Sequence, residues 1–171
     1  DISDYPCFSK YYITFPLNQI PTGQAIISAN LSMYMFGNAG GGSWGEPPDS
    51  YIQALSVSGN WDESSISWNN APLASENISG TWVYPVDFYE LVLYHWDVSR
   101  AVAQAYAKGE PLRLALYSAD GERHSGKYFL SSNISEYDAA YRPTLTVSWG
   151  NLCSSPGTVC SSVHLPMILA H

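Results

Sequence analysis

A chain of 171 residues fits one domain, long enough to bury on the order of two thirds of its unfolded surface. Its 7 Lys and Arg against 15 Asp and Glu leave a net charge of −8, which argues against nucleic acid and anionic lipid as partners. Charged residues make up only 13% and aromatics 14%, so Ser, Asn, Tyr and Gly must cover much of the surface, and no run is apolar for long enough to cross a membrane as a helix.

The opening residues Asp1 to Pro6 do not resemble a signal peptide, so an exported chain is expected to have lost its leader already. Lys10 to Leu17 is β-branched and aromatic and ends in the turn chemistry of Pro16, Pro21 and Gly23, which predicts a strand and a loop. From Ala25 to Phe36, Ala29, Leu31, Met33 and Met35 alternate with Asn30, Ser32 and Tyr34, the period of a strand with one buried face. The Gly- and Pro-rich stretch from Gly37 to Pro48 predicts a long loop carrying Trp44. Tyr51 to Ser58 alternates again, and Gly59-Asn60 turns the chain into a polar loop flanked by Trp61 and Trp68.

Thr81 to Val86 and Leu91 to Trp96 predict short strands. Asp97 is placed to cap a helix that runs to about Lys108, with Gly109 just past its end and Val98, Val102, Ala105 and Tyr106 on one face. Leu112 to Tyr117, Lys127 to Ser132 and Pro143 to Trp149 are the remaining strands, and Asp120-Gly121 is a turn. Many short strands with frequent turns and one helix predict an all-β, antiparallel, jelly-roll-like sandwich over residues 1–149.

Residues 150–162 read as a Ser/Pro/Gly linker, and residues 163–171 as an apolar, strand-like tail. Cys153 and Cys160 enclose a short loop suited to a local disulfide, while Cys7 is left over, either as a buried thiol or as a cross-link between chains. Burying Leu165, Met167, Ile168 and Leu169 would stabilise the docked tail by about 1.5 to 3 kcal/mol each, so the tail is expected to dock.

Trp61, Ile66, Trp68, Asn69, Ala71 and Pro72 form one set, followed by Trp96-Asp97-Val98-Ser99 with Val102 and Gly109. Phe129 and Ser131 come next, then Arg142-Pro143-Thr144-Leu145-Thr146-Val147. In that order the pattern over about residues 10–149 resembles the DNRLRE-type β-sandwich modules, related to carbohydrate-binding modules, of bacterial and archaeal secreted and surface proteins. The resemblance implies a jelly-roll-like sandwich, an extracellular or cell-surface setting and no catalytic apparatus; some members bind polysaccharide.

The chain departs from that pattern in two places. Ser132-Asn133 stands where the family often has a charged pair, and only ten residues precede the strand that begins at Tyr11. A sandwich short of a front strand exposes backbone groups that an added strand can satisfy. Val163, Leu165, Met167, Ile168 and Leu169 are therefore candidates for a donor strand, given to the same domain or to a neighbouring copy. The second case predicts a homo-oligomer or head-to-tail filament.

No nucleophile motif surrounds a serine, and His95, His124, His164 and His171 are scattered, so no enzyme is expected. Asp62 and Glu63 are adjacent in a polar loop, which suits solvation better than an acid and base pair. No cofactor is expected: Asp120, Glu122 and Asp87 offer oxygen ligands for Ca²⁺, but no spaced Asp repeat supports a site. The other reading of function is a carbohydrate-binding module, with polysaccharide stacked on Trp44, Trp82, Tyr84 and Tyr89 near loops, while Trp61, Trp68, Trp96 and Trp149 are assigned to the core or its edge. Asn30, Asn77 and Asn133 each begin an Asn-x-Ser sequon, about what chance gives.

Overall fold

A computed structural model describes residues 1–4, 8–40, 47–87, 90–118, 125–152 and 159–168. Alternation becomes burial most clearly in β3 (Gln24–Ala39), where Leu31, Met33 and Met35 point into the core and Asn30, Ser32, Tyr34 and Phe36 point away from it. β3 organises the larger sheet. Its outer partners are β6 (Val92–Asp97), β8 (Gly126–Phe129) and β9 (Thr144–Leu152), and the sheet ends at β1 (Ile2–Ser3) on β8 and β10 (Val159–Ile168) on β9. The smaller sheet runs β2 (Tyr11–Phe15), β7 (Leu112–Ser118), β4 (Ser50–Val57), β5 (Ala74–Val83). All pairings are antiparallel, as the many short connections require.

The two sheets enclose one core. Phe15, Ile52, Leu114 and Leu116 come from the smaller sheet and Leu31, Met33, Leu145 and Val147 from the larger. Trp96 on β6 reaches across it, donating its indole N–H to the Ile52 carbonyl of β4 at 2.8 Å and meeting Phe129 edge-on at 5.8 Å. α1 (Ser99–Lys108) packs on β3, with Ala101 and Val102 buried. Asp97 prepares its start by accepting from the Ser99 amide at 2.9 Å and the Ser99 hydroxyl at 2.5 Å, which holds its carboxyl below the usual range. Gly109, with φ 67°, ends the helix in the left-handed region.

A polar knot joins the front of the chain to β8. Lys127 is fully buried, and its ammonium donates to the Pro48 carbonyl at 2.7 Å and to the Ser125 hydroxyl. Ser125 also meets Ser50 at 2.8 Å, and its amide donates to the buried Asp4 carboxylate at 2.7 Å.

The structure departs from the sequence reading in several places. β5 begins at Ala74 instead of Thr81, because its polar first half is held by pairing with β4 and not by burial. β9 extends to Leu152 and β10 starts at Val159, narrowing the expected 150–162 linker. β10 pairs with β9 of its own chain, setting Val163 opposite Trp149, Leu165 opposite Val147, Met167 opposite Leu145 and Ile168 opposite Thr144. Val163 and Leu165 stay 47% and 39% exposed, so β10 is an outer strand and not a plug in the core. A short connection from β9 favours this hairpin-like pairing, the same-domain alternative for the tail. At the front, Ile2 is fully buried on β1, so this strand fills part of the expected gap. Cys7, Cys153, Leu169 and the proposed disulfide to Cys160 fall outside the described residues and side chains.

Candidate functional site

The outward face of the smaller sheet carries a band of rings that crosses all four strands. Trp82 on β5 lies directly opposite Tyr51 on β4, and their rings are 5.3 Å apart at 52°. Gly80, two residues before Trp82, leaves room for the tip of Tyr51: a Cβ there would lie 2.3 Å from the phenol carbon and oxygen. Tyr51 therefore lies down across β5 instead of standing off the sheet. Gln53 is next along β4 and pairs with Tyr117 of β7. Tyr117 stacks with Phe8 at 6.5 Å and 29°, and the Lys10 ammonium sits 5.2 Å from the Tyr117 ring and 4.8 Å from that of Trp68. With strands about 4.8 Å apart, the distance from β5 to β2 is about 14 Å, and Trp68 extends the band beyond β2.

The loop after β4 builds the far end. Asp62 accepts from the Ser64 amide at 2.8 Å and hydroxyl at 2.6 Å, while the Asn70 side chain accepts from the Ser67 amide at 2.6 Å and donates to the Ser65 carbonyl at 2.9 Å. These local bonds fix a loop that has little to bury. The Ser64 bonds also lower the Asp62 carboxyl below its usual range, which keeps it ionised and unsuited to act as a general acid. Trp61 meets Tyr12 edge-on at 5.4 Å, and the Tyr12 hydroxyl donates to the Pro72 carbonyl at 3.2 Å, so the loop is tied to β2.

Two open clefts adjoin at Tyr12, Lys10 and Ile66, one of about 380 Å³ beside Trp68 and one of about 390 Å³ beside Trp61 and Glu63. Asn133 donates at 2.9 Å to Glu63, which lines the second. The Tyr11 phenol in the same cleft is pushed up to about 12, chiefly by burial and then by the Glu63 charge, against a Ser132 backbone hydrogen bond. It stays a neutral hydroxyl through the physiological range.

Of the sequence-derived candidates, Trp82 is 44% and Tyr84 56% exposed, and the Tyr84 backbone is held at both polar groups by the Tyr94 hydroxyl. Trp44 and Tyr89 lie outside the described residues. Trp96 and Trp149 are buried as read, but Trp68, assigned to the core or its edge, is 63% exposed and Trp61 only half-buried. The sequence reading passed over Tyr51 and Tyr117, although both occupy the outward phase of alternating strands and so carried a usable signal.

The larger sheet also shows rings outward, but Tyr34 and Tyr141 meet there at 90° and 5.1 Å, so an edge covers a face. Among the described residues no cluster of His, Cys, Asp or Glu could hold a metal ion. Asp120 and Glu122 fall outside them, and Asp87 is exposed. No helix among the described residues is long and apolar enough to cross a membrane.

The model of carbohydrate-binding module family 96 matches residues 7–148, and the chain belongs to that family. No curated protein matches it.

Proposed function

We propose that this family 96 module binds polysaccharide across the outward face of its smaller sheet, without catalysis and in an extracellular setting. The observation that carries the reading is the band of rings with Trp82 and Trp68 exposed at its two ends, and Tyr51 laid over Gly80 between them. Sugar rings present C–H faces that pack on aromatic faces, while hydroxyls need neighbouring donors and acceptors. Gln53, Lys10 and the Glu63–Asn133 pair stand where they can supply these.

Isothermal titration against a panel of soluble β-glucan, xylan, galactomannan and polyuronate tests the proposal. Saturable binding to at least one is expected. Trp82→Ala and Trp68→Ala are each expected to weaken it by about tenfold, as the loss of one stacking ring predicts, and the double variant to abolish it. Both side chains are largely exposed, so circular dichroism should be unchanged. Undiminished binding by the double variant would move the site to another face.

Gly80→Ala gives a subtler check. The atoms nearest the added methyl belong to the Tyr51 phenol, so Tyr51 is expected to swing away and the fold to tolerate it. The melting temperature should move by no more than about 4 °C, while affinity falls by roughly tenfold because the middle of the band is broken.

A further inference from the structure

Resting on that reading, we infer that the band takes an internal stretch of an extended glycan chain, lying across the strands from Trp82 to Trp68, and not a chain end. A site for chain ends must be closed on one side, with its most enclosed ring at the blind end. Here neither outermost ring is enclosed: Trp82 is 44% and Trp68 63% exposed, and between them lie the half-buried Tyr51 and Tyr117 and the 44% exposed Phe8.

The spacing supports the same direction. Tyr51 and Tyr117 sit on β4 and β7, neighbours in the sheet, with Gln53 of β4 paired to Tyr117. Successive rings are thus met by crossing strands, and a ligand that covers them all must span about 14 Å from β5 to β2 and continue to Trp68. A single sugar touches one ring, so affinity must accumulate with length.

The test is titration of the intact chain with cello-, xylo-, manno- and oligouronate series from di- to hexasaccharide, each also with its reducing end converted to the alditol. For the series that binds, Kd should improve by about two- to tenfold for each unit that reaches a further ring and then level off. Reduction of the end sugar should leave the hexasaccharide value within about twofold. Trp68→Ala should bring the plateau at a shorter oligosaccharide, whereas a general loss of folding would weaken binding at every length alike.

A disaccharide that binds as tightly as the hexasaccharide, or a hexasaccharide that loses binding on end reduction, would overturn this inference and leave polysaccharide binding standing. Binding of the parent polymers to none of the panel would instead remove the proposed function, and this inference with it.

Discussion

Trp96→Ala is expected to lower the free energy of unfolding by about 3–5 kcal/mol, the range for deleting a large buried aromatic. Trp96 is 1% exposed and belongs to the larger sheet through β6, yet its indole N–H ends on the Ile52 carbonyl of the smaller one. The substitution removes ring volume from the centre of the core, the edge contact with Phe129 and a hydrogen bond between sheets. Trp96→Phe keeps most of the volume and loses the donor, so about 1–2 kcal/mol is expected from it. Urea unfolding with a shared slope separates the two. Equal losses would mean that volume is irrelevant at this position. There is also a functional reading. Ile52 lies between Tyr51 and Gln53, so the bond from Trp96 seats the strand segment that carries the middle of the ring band.

Lys127→Ala should cost a similar amount, about 3–5 kcal/mol, for a different reason. The side chain is a fully buried cation whose ammonium holds the Pro48 carbonyl and the Ser125 hydroxyl, and Ser125 in turn holds Ser50 and Asp4. Truncation opens a cavity and takes the ammonium from both acceptors. Lys127→Met refills most of the cavity and restores none of the hydrogen bonds, so it should recover part of the loss, to about 2 kcal/mol. If Met and Ala were equally damaging, the polar term alone would matter. If neither were damaging, the knot would contribute nothing to stability.

Strands with strict alternation were legible because burial of one face imposes a period that sequence records directly; Ala25 to Phe36 is the clearest, and the structure extends it to Gln24–Ala39. The first half of β5, Ala74-Ser75-Glu76-Asn77, carried no such record, since it is held by backbone pairing to β4 with both faces largely open. Lys127 was equally silent. Nothing near it in sequence says that Asp4 and Pro48 will meet it around Ser125. At the candidate site, Trp82 could be singled out from composition alone, whereas the exposure of Trp68 depends on how hydrogen bonds of Asp62 and Asn70 fold the loop around it. The tail was recognisable as a strand from its apolar character; its partner was not, because apolar character does not name a neighbour.

Pro166 sits in β10, the outermost strand of the larger sheet, opposite Thr146. An outermost strand presents a row of backbone groups that any similar strand can copy, the usual start of sheet-to-sheet aggregation. Proline lacks an N–H, so it removes one donor from the ten residues of this strand. The residue that makes this strand a poor central partner thus also fits its place at the outside of the sheet.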